Sequence, residues 1–256
     1  MNTTSKTDLT DVSFLIALKI DSKDRINNLD ITIEYLQHHF DTEIIISEQS
    51  KESHIKGRYD CKHIYTEVDE FFNRQKGVNI AAKQSTKPII AHYDADVILT
   101  PQQIIKAVET IRDGTLELAS PYNGHFYDVP KLFHKEIAAS HSTDCIDISQ
   151  CNMFSPRSVG GVVFFNREIF WQCGGANENF KGLGYEHDEI FERFKKLKTK
   201  MGRINKPLFH LTHERKETAY DHNPFVKANG DEFLRIQNMT REQLLNEIET
   251  WEWSKQ

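Results

Sequence analysis

The chain has 256 residues, 38% of them apolar and 27% charged, which excludes a membrane bundle and leaves one large soluble domain or two small ones. Lys plus Arg number 32 against 38 Asp plus Glu, a formal charge of −6, so nucleic acid, which calls for a basic excess, is not an expected partner. Four cysteines without a C-x-x-C pair exclude a disulfide scaffold and predict reduced, packed thiols.

In chain order, residues 1–11 are polar and read as a flexible tail without signal-peptide or anchor character. A cytoplasmic protein is expected, with membrane contact confined to the periphery of the inner face. Val12 to Ile20 is a nearly continuous apolar run, the pattern of a strand covered on both faces. Asp21-Ser22 offers an N-cap, and Ile26, Leu29, Ile33, Leu36 and Phe40 recur on one helical stripe. Glu43 to Ser47 is a short strand, so the opening reads β-α-β and predicts a parallel pair with a right-handed crossover. His63 to Glu67 reads as a third strand and Phe71 to Gln84 as a helix. Pro88 to Tyr93 is a buried strand whose carboxyl end delivers Asp94-Ala95-Asp96, where open α/β sheets bind ligands.

Thr100-Pro101 starts a helix with Ile104, Ile105, Val108 and Ile111 inward. From Tyr122 to Ser158 periodicity fades, which reads as a long, partly irregular insertion. Gly160 to Asn166 resumes strand character, and Arg167 to Cys173 is a short helix broken by Gly174-Gly175. Residues 176–186 form a loop feeding a helix from His187 to Lys200, with Ile190, Phe191, Phe194 and Leu197 on one face. A strand at Leu208 to Thr212 and a capping box at Thr240 to Gln243 close the pattern.

Three constellations can carry chemistry. Asp94-Ala95-Asp96 offers two carboxylates to a hard cation or a ribose, or is a solvated loop. His210 and His213, three apart, can meet one ion, with N and O ligands suiting Mn, Fe or Zn, or are merely hydrogen-bonded. Gly182-Leu183-Gly184 leads into Glu186-His187-Asp188-Glu189 at a helix start. The dipole favours acids there, but the glycines suggest close approach of backbone to a ligand. Arg193, Lys195, Lys196, Lys198, Lys200, Arg203 and Lys206 form a basic run, either a solvated face or a landing patch for anionic lipid or a lipid-diphosphate acceptor.

Phe72-Asn73-Arg74 with Asn79, then Asp94-Ala95-Asp96, Gly160-Gly161-Val162, Gly174-Gly175 through Phe180, Gly182 and Gly184 to Glu186, Ile190 to Arg193, and His213-Glu214-Arg215 follow one another in an order that resembles a known family. These motifs are similar to GT-A fold glycosyltransferases of the beta-1,4-galactosyltransferase type and their bacterial relatives of the family 2 and family 7 type. The resemblance spans roughly residues 12–225. It implies an α/β, Rossmann-like GT-A single domain with a mixed, mainly parallel central sheet flanked by helices. Residues 12–120 would be the nucleotide-sugar-binding half, 121–225 the acceptor and catalytic half, and 226–256 a C-terminal helical segment.

The same resemblance implies that Phe72 and Arg74 lie beside the uridine, Asp94 near the ribose or metal, and Gly161 against the transferred sugar. It implies that Asp96, His210 and His213 bind Mn2+ or another divalent cation, and that Glu186 hydrogen-bonds the sugar or acceptor. The partners implied are a UDP-sugar donor and a carbohydrate or lipid-linked glycan acceptor. His187 stands where the family has its catalytic aspartate, so the catalytic candidates are Asp188, His187 and Glu186, with the base left open among them, or transfer is impaired. Leu183 replaces a tryptophan that contacts both sugars, and Ala17 to Asp21 replaces a proline- and arginine-rich segment. The expected reaction is inverting transfer of a hexose or N-acetylhexosamine, galactosyl- or N-acetylgalactosaminyltransferase-like and suited to polysaccharide biosynthesis. The alternatives are a non-catalytic sugar-nucleotide or glycan-binding protein and a metallohydrolase.

Overall fold

The computed structural model describes residues 5–68, 71–214 and 223–255. Strand β1 (Thr7–Leu18) is buried without interruption from Val12 onward, and its successive side chains feed two different cores. Phe14, Ile16 and Leu18 point into one core and Leu15 and Ala17 into the other, which is why the run lacks polar alternation. The expected tail over 1–11 needs correction. Thr7-Asp8-Leu9 pairs in parallel with Phe40-Asp41-Thr42, because Leu9 buries its side chain between exposed Asp8 and Thr10. One apolar residue in a polar stretch leaves too little period to read.

Helix α1 (Lys23–His39) starts on Ser22, whose hydroxyl accepts from the Arg25 amide, and buries Leu29, Ile33 and Leu36. Strands β2 (Phe40–Ser50) and β3 (Lys62–Glu67) follow in parallel. Helix α2 (Arg74–Gln84) begins later than expected because the Asn73 side chain caps it, accepting from the Lys76 amide. Strand β4 (Ile89–Tyr93) is buried throughout, β5 (Val97–Ile98) is a two-residue strand, and α3 (Pro101–Arg112) opens on a Thr100–Gln103 capping box.

The remaining elements are β6 (Leu118–Ser120), β7 (Phe126–Val129), α4 (Lys131–Ser140), β8 (Asn152–Ser155), β9 (Val162–Asn166), α5 (Arg167–Gln172), α6 (Glu186–Lys196), β10 (Met201–Arg203), β11 (Leu208–Leu211), α7 (Val226–Asn238) and α8 (Arg241–Thr250). The segment 122–158 is partly irregular, as expected, but also carries β7, α4 and β8. Its strands are half-exposed, so no apolar alternation marks them. Helix α6 stops short of Lys200 because Lys198 takes a left-handed φ of 67° and the chain turns into β10.

The central sheet has the order β10-β6-β9-β4-β1-β2-β3, parallel except for β9, which runs antiparallel between β4 and β6. This is an α/β fold with a mixed, mainly parallel sheet covered by helices. A second sheet of order β5-β11-β7-β8 begins with the strand that follows the carboxyl end of β4. Among the described residues no helix is long and apolar enough to cross a membrane.

Candidate active site

The small sheet explains how residues more than a hundred positions apart meet. His210 on β11 pairs with Val97 on one side and Asp128 on the other, and the Leu211 amide donates to the Asp96 carbonyl at 2.8 Å. That register sets the Asp96 carboxylate against both imidazoles: its Oδ2 lies 3.5 Å from His210 Nε2 and 3.3 Å from His213 Nε2. Behind them, His210 Nδ1 bonds Asp128 Oδ1 at 2.6 Å, and on the open side Arg25 Nη1 donates to Asp96 Oδ2 at 2.9 Å.

Burial works against charge on Asp96, yet the facing His210 charge, hydrogen bonds from both imidazoles and Arg25 hold its carboxyl well below the usual carboxylate range. Burial likewise opposes a charged His210, but Asp96 and Asp128 outweigh it and push the imidazole up to about 9. The ligand atoms of Asp96, His210 and His213 all lie within 4.8 Å of one another. One carboxylate and two imidazoles suit a divalent transition ion, and a carboxylate behind a ligating ring is the usual device that fixes its orientation. The residues present therefore fit such an ion.

Asp96 also lines a cavity of about 310 Å³, the size of a small-ligand cleft. Phe71, Phe72 and Pro224 give it an apolar wall, while Arg25, Arg74 and Asp94 give it charge. Arg74 Nη1 lies 3.2 Å from Asp94 Oδ2 and 3.9 Å from Glu186 Oε1, and the Glu186 Oε2 accepts from the Gly184 amide at 2.6 Å. The Gly161 carbonyl accepts from the Asp94 amide at 2.8 Å, and Gly161 has φ 86° with no room for a side chain, since a Cβ would stand 2.9 Å from Leu208 Cδ1.

His187 stacks on His92 at 5.3 Å between ring centroids, with its Nδ1 3.5 Å from Glu186 Oε1. Burial, with the Arg74 charge, lowers its imidazole to about 4, against a smaller opposing pull from Asp94. His92 is also held well below the usual imidazole range, by burial first and then by His187 and Arg74. Asp188 points elsewhere, into a separate surface hollow with Val159, Phe191 and Lys195. Burial and then the Glu186 charge raise its carboxyl.

The structure thus brings Phe72, Arg74, Asp94, Asp96, His210, His213, Glu186 and His187 to one region and leaves Asp188 outside the cavity. Arg215, the last residue of the His213-Glu214-Arg215 motif, lies outside the described residues. Sequence reading missed Arg25, His92 and Asp128. His92 and Asp128 had a signal, being a lone polar side chain within a short apolar or aromatic strand. The basic run is also corrected. Arg193 is wholly buried, donating to Glu189 at 2.6 and 3.1 Å and to the carbonyls of Cys173 and Gly175, and Lys196 caps carbonyls of Gln237 and Met239. The Arg193 charge is therefore spent inside the protein, and that of the half-buried Lys196 on the turn between α7 and α8.

Gly182 holds the loop over the cavity at φ 65°, and a Cβ there would stand 2.6 Å from Asn223 Nδ2, which donates to the Lys181 and Leu183 carbonyls. Gly182→Ala is expected to cost roughly 1–3 kcal/mol, from left-handed strain plus loss of those bonds. Thermal melting checks this, and an unchanged melting temperature contradicts it.

Residues 141–217 match the family model described as the N-terminal domain of galactosyltransferase. Among solved structures, a mutant of Drosophila beta-1,4-galactosyltransferase 7 in complex with manganese, UDP-Gal and xylobiose is 18% identical, with TM-score 0.50 over 79% of this chain and 71% of that one. The catalytic domain of the same Drosophila enzyme in complex with xylobiose is 17% identical, with TM-score 0.49 over the same shares. A mycobacterial protein is 13% identical, with TM-score 0.56 over 87% of this chain and 74% of that one. No curated protein sequence matches the chain. One segment is thus galactosyltransferase-like in sequence, and the sheet and helices of the chain share the GT-A fold of the Drosophila structure.

Proposed function

We propose that the protein is a metal-dependent, inverting glycosyltransferase that moves a hexose or N-acetylhexosamine, galactose or N-acetylgalactosamine in class, from a UDP-sugar to a hydroxyl of a glycan or lipid-linked acceptor. The observation that carries this reading is the convergence of Asp96, His210 and His213 at the edge of a cavity that also holds Phe72 and Arg74. Those three residues would hold Mn2+ or a similar ion, which when bound supplies Lewis-acid stabilisation of diphosphate charge. The Drosophila relative was solved with manganese and UDP-Gal, which supports the same donor class here.

The chain's own residues have separable tasks. Phe71 and Phe72 cover the base of the nucleotide, Arg74 and Arg25 offset phosphate charge, the Gly161 carbonyl holds the Asp94 amide, and Glu186 accepts hydrogen bonds from the sugar. His187 takes the acceptor proton as the acceptor oxygen bonds the anomeric carbon and the bond to the diphosphate oxygen breaks. This single displacement inverts the centre. An imidazole lowered to about 4 is neutral at neutral pH and has nearly the basicity of an ordinary aspartate, at about 3.9, so it can stand in for one.

The test is UDP release from UDP-sugars with Mn2+ and an acceptor panel. His187→Gln is expected to slow turnover by ~10²–10⁴-fold and Asp188→Asn by no more than a few-fold. The reverse ranking moves the base role to Asp188. Nucleotide binding without turnover favours a binding module, and metal-dependent hydrolysis that needs no nucleotide favours a metallohydrolase.

A further inference from the structure

We propose that His92, Asp94 and His187 form a second cation site, separate from the Asp96 group, that takes a zinc-class dication. Their ligand atoms all lie within 4.8 Å of one another, and they come from the end of β4 and the first turn of α6. His92 is 3% exposed, and its Nε2 is buried with no hydrogen-bond partner, 3.8 Å from Asp94 Oδ1. A buried ring nitrogen left unpaired is costly, and native proteins usually supply it with a partner.

The neighbours leave that partner's position open. Arg74 engages the other carboxylate oxygen of Asp94, Oδ2, at 3.2 Å, so Oδ1 remains for the imidazole side. The His187 ring is admitted by Gly160, where a Cβ would stand 3.0 Å from Nδ1. Two carboxylates, Asp94 and Glu186, face one guanidinium, Arg74, which leaves a negative balance suited to a dication. Two imidazole nitrogens and one carboxylate oxygen favour zinc over magnesium, with a remaining position for water. A zinc ion bound there would occupy the imidazole assigned above as the base, so the loaded site is expected to inhibit transfer and the zinc-free protein to carry it out.

The proposal rests on no assumption about transfer, and its test reads metal alone. Zinc retained after dialysis is measured on the wild type, on Asp96→Ala and on Asp96→Ala/His92→Gln, and the expected equivalents are two, one and none. Asp96→Ala leaves the second site unaltered. Co2+ added to that single variant is expected to give the visible bands of a nitrogen-ligated ion. His210→Ala provides the same vacancy in the first group should Asp96→Ala fail to fold. Loss of all zinc from both Asp96→Ala and His210→Ala overturns the second site, as does one equivalent that survives in Asp96→Ala/His92→Gln.

Discussion

Asp96→Ala is expected to abolish Mn2+-dependent UDP binding, with affinity for UDP plus Mn2+ falling by more than about 100-fold. The magnitude follows because even the partner of a metal ligand is worth ~10–100-fold, and Asp96 is itself, among the described residues, the one carboxylate touching both imidazoles. Removing it also leaves Arg25 and the His210 imidazole, raised to about 9, without their shared counter-charge. Titration calorimetry with UDP, with and without Mn2+, reads the result. Wild-type affinity in the variant would remove the metal role from this residue.

Arg193→Met is expected to destabilise the fold by about 3–5 kcal/mol, lowering the melting temperature on the order of 10 °C. Arg193 is wholly buried and ties Glu189, one turn earlier on α6, to the carbonyls of Cys173 and Gly175. Without the guanidinium, the Glu189 carboxylate is a buried unpaired charge and two carbonyls lose their donor. A Glu189→Met/Arg193→Met double variant is expected to recover part of the loss, since removing both charges avoids the unpaired one. A loss below about 1 kcal/mol for the single variant contradicts this account. The same tie fixes the start of α6, and with it Glu186 and His187, against the Gly174-Gly175 turn.

Much of the fold was legible where burial is two-sided. Strands β1 and β4 announce themselves as unbroken apolar runs because one sheet separates two cores, and the capping boxes at Thr100 and Thr240 mark helix starts outright. The second sheet was not legible. Strand β5 is two residues long, and β7 and β8 are half or fully exposed, so neither length nor alternation identifies them. That sheet nevertheless assembles the Asp96, His210 and His213 group. Residue types therefore suggested the group, while the register that unites it comes from pairing that only the folded chain shows.

The misreadings have physical causes. Arg193 sits in a basic run, and composition does not reveal which way a long side chain turns. Its spacing of four from Glu189 was the local sign of a pair. Asp188 follows His187 by one residue, which on a helix turns its side chain about 100° away, and this sends it to a different hollow.

The central claim is that one divalent ion is shared by Asp96, His210 and His213 and carries the nucleotide diphosphate. Anomalous diffraction at the manganese edge, from crystals grown with Mn2+ and UDP, tests it directly. The account predicts a peak bonded by those three side chains and by the diphosphate. Bound UDP with no such peak among them would contradict it.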